Sequence, residues 1–198
     1  MSLRSFGHKI SGMILQANVA RARQLCVFLF TMAMVTAGYS NPVLDNVAAG
    51  NVSVTQSTNS TVVNQASQQA IINWNSFNIS AGEKTQFVQP NTSAIALNRI
   101  NPAQGASQIY GSLSANGKII LINGAGIHFG PSAMVNVAGM IASTTDISNA
   151  NFLAGNYIFN IPSPYSGSII NEGTLIAANH GLIALLGTNV QNNGMIQA

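Results

Sequence analysis

Charge is scarce in this sequence: Asp, Glu, Lys and Arg make up 6% of 198 residues, against 47% hydrophobic. That proportion supplies apolar material for one domain of ordinary size and excludes a disordered tail or a nucleic-acid-binding arm. The formal charge of +3 sits almost wholly at the start. Arg4, Lys9, Arg21 and Arg23 precede the rest, whereas from Asn41 onward Lys84, Arg99 and Lys118 face Asp45, Glu83, Asp146 and Glu172, three cations against four carboxylates, a net −1. Cysteine is limited to Cys26, so the body has neither disulfide nor thiol chemistry. Clustered acid–base and metal groups are lacking too. His128 and His180 are the only histidines after Asn41, and the four carboxylates are scattered, so no spacing for metal binding or general acid–base catalysis arises.

The single long apolar run is Leu25 to Ala37, 13 residues preceded by the basic stretch. A spanning helix needs about 20. Small residues follow, placing Val35 and Ala37 at −3 and −1 for a cut after Ala37, and Gly38 and Ser40 for a cut after Ser40. This is the layout of a secretory signal peptide with an extended basic region. Residues 1–40 are therefore expected to be a removed leader and residues 41–198 the domain.

After Asn41, apolar residues come in runs of two to five separated by Asn, Gly, Ser or Thr, and no amphipathic helical pattern of 12 residues occurs. The body reads as all-β. A sandwich, a barrel and a solenoid all fit such spacing, so internal repetition decides. Gly117-Lys118-Ile119 lies 22 residues before Gly139-Met140-Ile141, and Gly173-Thr174-Leu175 lies 21 before Gly194-Met195-Ile196. A turn-then-strand unit of about 20 residues describes a coil of a parallel β-helix. Asn and Gly suit its corners, and low charge suits a stack in which equivalent side chains repeat about every 4.8 Å. Between Gly139 and Gly173 the repeat is interrupted. There Ser148 to Gly155 reads as one or two helical turns, and Pro162 and Pro164 read as a loop leaving the stack. The last unit, Gly194 to Ala198, has no capping element, which is expected of the N-terminal part of something longer or of an end covered by a partner.

From Ile71 onward the sequence resembles the two-partner secretion domain, the N-terminal module of filamentous-haemagglutinin-like and high-molecular-weight-adhesin-like exoproteins. The residues that carry the likeness come in the family's order: Ile72-Asn73-Trp74-Asn75-Ser76-Phe77-Asn78-Ile79, then Leu97-Asn98-Arg99-Ile100, then Ile109 to Asn123 with Gly124-Ala125-Gly126-Ile127-His128-Phe129-Gly130 after it. Ala142-Ser143-Thr144-Thr145-Asp146-Ile147 and Phe152 to Tyr157 complete it. The resemblance implies a right-handed parallel β-helix, a solenoid with short extra-helical insertions. It also implies a non-enzymatic module without cofactor or metal. Its partners would be the general secretory machinery and then an outer-membrane β-barrel transporter with periplasmic domains. The product would be secreted, or held at the cell surface of a Gram-negative bacterium, via the periplasm. A host-cell or surface receptor would be engaged through a longer chain. The alternative is a free-standing β-helical adhesin or polysaccharide-binding protein.

For the secretion motif the resemblance points to Asn98, Arg99 and the turn Asn123, Gly124, Ala125, Gly126 and Ile127. The family's Asn-Pro-Asn-Gly-Ile turn appears here with Gly in place of Pro and Ala in place of the second Asn, which predicts a more flexible turn. Trp74, Phe77 and Phe87 read as the plug at the N-terminal end of the stack, with a sugar-stacking platform as the rival. Arg99, the only arginine of the body, is expected to pair with Asp146 or Glu83, or to contact the transporter. His128 and His180 read as turn residues. Gly124-Ala125-Gly126 imitates a dinucleotide fingerprint, but its third Gly is one residue late and no crossover helix follows.

Overall fold

The computed structural model describes residues 40–198. The expected leader, with Cys26 and the Ala37 cleavage position, lies outside the described residues. Strands β1 (Val43–Ala49), β2 (Val52–Ser57), β3 (Ser60–Gln65) and β4 (Gln69–Ser76) come first. From there the chain winds in a three-strand cycle. One coil is β5 (Lys84–Val88), β6 (Ile95–Ile100) and β7 (Ser107–Ile109); the next is β8 (Ser112–Ala115), β9 (Lys118–Ile122) and β10 (Ile127–Phe129). Then follow β11 (Met134–Val137), β12 (Gly139–Ser143) and β13 (Ser168–Asn171), and after them β14 (Thr174–Ala177), β15 (Ile183–Leu186) and β16 (Asn189–Asn192). With β17 (Met195–Gln197) a further coil begins.

Stacking the coils makes three sheets, ordered β2-β3-β5-β8-β11-β14-β17, β1-β4-β6-β9-β12-β15 and β7-β10-β13-β16. Pairing between coils is parallel throughout, and only β1 on β4 and β2 on β3 are antiparallel. The fold is thus the parallel β-helix that the resemblance implies. Its cause is visible in single strands. In β11, Val135 and Val137 point inward while Met134 and Asn136 face solvent, the period of two that a half-buried strand requires.

The register differs from the Gly117-to-Gly139 alignment by one residue. Lys118 pairs with Gly139 and Ile119 with Met140. Asn116 and Gly117 join β8 to β9, but Ala138 alone joins β11 to β12, so one corner is shorter. A one-residue slip exchanges faces. Accordingly Ile119 and Met140 stack in the core at 1% exposure, while Ile141 faces outward. The interruption is also placed differently. Gly139 opens a strand of one sheet and Gly173 precedes a strand of another, and the extra residues are 144–167, between β12 and β13.

Inside the stack, apolar columns such as Leu113, Val135 and Leu175 run from coil to coil. Buried amides join them at the corners. Asn171 donates through Nδ2 to Asn192 Oδ1 at 2.7 Å, and Gln89 donates through Nε2 to Gln65 Oε1 at 3.1 Å. At the N-terminal end, Trp74, Phe77 and Phe87 are each 1% exposed, with the Trp74 and Phe77 rings edge-to-face at 5.2 Å. Leu44 of β1 and Val52 and Val54 of β2 pack against the same core.

The insertion supplies a second, smaller core. Helix α1 (Asn149–Leu153) starts where Ser148 Oγ accepts the Asn151 N–H and gives way at Gly155, φ 76°. This is the short helix expected over Ser148 to Gly155. Its Phe152 is fully buried against the outer face of the β4–β6–β9 sheet, on Ile71, Leu97, Ile120 and Ile122, together with Ile147. That sheet is consequently apolar on both faces. Among the described residues no helix is long and apolar enough to cross a membrane.

Candidate functional site

The turn at Asn123 joins β9 to β10. The Asn123 side chain is fully buried and saturated: Nδ2 donates to Gly105 O at 3.1 Å and Ser107 Oγ at 3.0 Å, and Oδ1 accepts the Ala125 N–H at 2.9 Å. Its backbone N–H reaches Ser143 O at 3.0 Å, and its carbonyl accepts the Gly126 N–H at 2.9 Å. An Asn that bonds the backbone two residues on is the Asx-turn device. Ile127 then enters the core at 1% exposure.

The two glycines of this turn serve different needs. Gly126 has φ +113°, a region open mainly to glycine, and an added Cβ would meet Ser168 O at 2.7 Å. Gly124 is required for room. A Cβ there would fall 1.9 Å from Ser163 Oγ, because residues 161–167 of the insertion lie over the turn, with the Gly167 N–H donating to Gly124 O at 3.2 Å. Beside the expectation of a more flexible turn stands what the contacts show: its glycines permit close approach, and the turn is buried and bonded.

Asn98 and Arg99 are neighbours on β6 with opposite fates. Asn98 points inward and is fully buried, accepting the Trp74 Nε1–H at 3.0 Å and donating to Ile120 O at 3.2 Å. Arg99 points outward and ties down the insertion. Its Nε lies 2.8 Å from Asp146 Oδ2, Nη1 donates to Asn149 Oδ1 at 2.9 Å, and Nη2 donates to Ile147 O at 2.7 Å. Of the two carboxylates considered for it, Asp146 is the partner. Glu83 instead accepts the backbone N–H groups of Ser40 and Ser80.

Arg99 and Gly124 meet in one cleft of about 470 Å³, roofed by Ile161, Pro162, Ser163 and Pro164. Its Arg99–Asp146 ion pair is closed on itself, its other carboxylate is Asp45, which accepts from Asn46 Nδ2 at 2.8 Å, and its lining holds no Cys or His. Among the described residues no group of three His, Cys, Asp or Glu could hold a metal ion. Trp74, Phe77 and Phe87 lie in the core, too buried to stack a sugar.

His128 lies on strand β10 rather than in a turn. Its Nε2 is 2.9 Å from Glu172 Oε2, and Nδ1 is 3.3 Å from both Tyr110 Oη and Gln108 Oε1. The signal was the alternation Ile127-His128-Phe129, which places His128 between two core residues and so on the outer face. Of the two histidines expected in turns, His180 is the one found in a turn, at φ 64°.

The geometry, then, is that of a packed solenoid whose most specific side chains are spent on its own turns. Comparison with known proteins agrees with this. The model of the TPS secretion domain family matches residues 40–198. The chain is 31% identical over 177 residues to the heme/hemopexin-binding protein of Haemophilus influenzae strain Rd, covering 85% of this chain and 19% of that protein. A second heme/hemopexin-binding protein of Haemophilus influenzae is 38% identical over 111 residues, 56% of this chain and 12% of its own length. The chain thus spans about a fifth or less of these curated relatives. The crystal structure of the HMW1 secretion domain from Haemophilus influenzae superposes with a TM-score of 0.72 at 33% identity, covering 79% of this chain and 42% of that one. Matched throughout its described residues and sharing a solved secretion domain's architecture, the chain belongs to the TPS secretion domain family.

Proposed function

We propose that the chain is the non-enzymatic secretion module of an exoprotein: a leader ending at Ala37 or Ser40 is removed on export to the periplasm, and the domain is then recognised by its outer-membrane transporter as an extended chain. The observation that carries this reading is burial. Asn98 and Asn123 are 0% exposed, and of the seven motif residues only Arg99 and Ala125 are more than slightly exposed. A transporter meeting the folded domain would find little of the motif to read. The extended chain offers all of it, together with unpaired strand edges for backbone pairing to the transporter's periplasmic domains.

Emergence outside the cell then lets the coils close. A folding free energy of about 5–15 kcal/mol, typical of single domains, opposes backsliding and biases transit outward. The nucleus in this reading is the N-terminal coils, a role supported by the antiparallel strands β1 and β2 and the Trp74–Phe77 pair packed at that end.

The test is expression of residues 1–198 in a Gram-negative host with and without a candidate transporter. Mature chain in the medium only when the transporter is present is the expected result. Leu121→Asp, which places a carboxylate at a fully buried position, should be retained or released several-fold more slowly. Release of that variant at the normal rate would remove folding from the mechanism, and release without any transporter would overturn the module reading.

A further inference from the structure

Glu83 is the one buried carboxylate among the described residues, at 2% exposure, and it forms no ion pair there. A buried carboxylate persists only when hydrogen bonds replace its water. Here they come from two backbone N–H groups. Ser40 donates to Oε1 at 2.7 Å and Ser80 donates to Oε2 at 2.7 Å. The Ser40 and Ser80 hydroxyls meet at 2.9 Å, and the Glu83 backbone is itself fixed, its N–H on Ser80 O at 2.9 Å and its carbonyl accepting from Ser112 at 2.9 Å. The lysine beside it in sequence, Lys84, is on the exposed face of β5.

Ser40 is therefore half of what keeps Glu83 in place, and the family match also begins at Ser40. Of the two cuts the small-residue pattern allows, one removes this residue and the other keeps it. We infer that the leader is cut after Ala37, so that the mature chain begins at Gly38 and carries Ser40 into a seat built by Glu83 and Ser80. In that step water adds across the Ala37–Gly38 peptide bond, leaving a carboxylate on Ala37 and an α-amino group on Gly38. A cut after Ser40 satisfies the peptidase's preference equally but strips Oε1 of its donor. Glu83 is thereby a positioning residue for Ser40, just ahead of β1.

This inference rests on the leader reading and asks nothing of the transporter. The test uses the full-length gene in a host without the transporter and reads the periplasmic product by mass spectrometry. A chain beginning at Gly38 is expected. A chain beginning at Asn41 overturns the seat, and a chain retaining Met1 overturns the leader reading and the cut with it. A second measurement addresses Glu83 on the mature product. Ser40→Pro deletes the N–H donor and Glu83→Gln sets an amide against one of the two N–H groups. Each should lower Tm by roughly 4–10 °C, while Ser40→Ala, which keeps the N–H, should lower it far less. Combining Ser40→Pro with Glu83→Gln should lower Tm little beyond the worse single variant, since both break one contact. Unchanged melting of Ser40→Pro, or full additivity of the pair, would overturn the role given to Glu83.

Discussion

Gly124 offers the sharpest perturbation, because the sequence alone assigns it backbone freedom and the fold gives it a packing role. If it served backbone freedom, Gly124→Ala would cost little more than any change in a surface turn. In the fold a Cβ at 124 lands 1.9 Å from Ser163 Oγ and 2.5 Å from Ser163 Cβ, while the next atom, Pro102 Cβ, is 3.8 Å away. Rotating the hydroxyl clears the first contact but not the second, so the loop over the turn must move. Overpacking of this kind costs about 1–3 kcal/mol, or roughly 2–10 °C in Tm for a domain of this size. Removing the obstacle should restore stability. Ser163→Gly takes away both clashing atoms and forfeits the hydrogen bond that Ser163 Oγ accepts from the Tyr165 N–H at 3.1 Å, worth about 0.5–1.5 kcal/mol. The double variant Gly124→Ala/Ser163→Gly should therefore melt near Ser163→Gly alone, giving a coupling of about 1–3 kcal/mol in a double-mutant cycle. Gly126→Ala is the control. Its obstacle is the Ser168 backbone carbonyl at 2.7 Å, and its φ is +113°, so Ser163→Gly should not rescue it. Thermal and urea melts of the four combinations decide the matter. A neutral Gly124→Ala, or one that Ser163→Gly fails to rescue, would refute the packing account.

Three further outcomes follow from single contacts. Asn98→Ala should cost about 1–3 kcal/mol and shift the emission of Trp74, the only tryptophan, because the indole N–H loses its acceptor at 3.0 Å; Asn98→Asp, which retains an acceptor oxygen, separates this from the loss of volume. Substituting His180, held at φ 64°, should raise stability by about 0.5 kcal/mol with Gly and lower it by about 1–2 kcal/mol with Val, since a β-branched side chain tolerates the left-handed region worst, and denaturant midpoints would show the opposite signs. Arg99→Lys keeps the charge but cannot present the three-way fork to Asp146, Asn149 and Ile147; with the ion pair partly open to solvent, its side chains 23% and 28% exposed, the loss of about 1 kcal/mol or less should appear as up to about five-fold faster chymotryptic cleavage near Phe152 and Tyr157, with global melting almost unchanged.

Local chemistry explains how much of this was legible beforehand. The all-β class, the solenoid, the short helix after Ser148 and the loop at Pro162 all rest on signals within a few residues: alternation, capping, and proline. The register needed more. Gly117 and Gly139 look equivalent because both precede Ile-containing runs, yet corner length is set by how each coil closes, and a two-residue corner at Asn116-Gly117 against the single Ala138 moves every side chain of β12 by one place relative to β9. No periodicity count contains that information. The motif residues show the same boundary more strongly. Asn98 and Asn123 were recognisable by type and order, but their burial depends on Trp74, Ile120, Gly105 and Ser107, and the reason for Gly124 lies in Ser163, on the inserted loop.

On the proposed reading, burial of the motif limits when a transporter can read it. A side chain fully enclosed at Asn98 or Asn123 serves the solenoid once coils close; in the proposed function it serves a partner only earlier, so that reading puts two constraints separated in time on one residue. The Gly124–Ser163 contact fits that division. Packing the insertion onto the turn improves the folded state after recognition is over, and costs nothing while the chain is extended, because residues 124 and 163 meet only when β9, β12 and β13 have taken their places in the stack. Substitutions at Ser163 should accordingly alter melting without altering transporter engagement. Substitutions at Asn123 should alter both, since its amide is exposed to a partner in the extended chain and closes the Gly105–Ser107 corner in the folded one. Measuring Ser163→Gly and Asn123→Ala side by side for Tm and for competition with the unfolded wild-type chain at the transporter separates the two roles. Equal loss of competition by both variants would refute the separation in time.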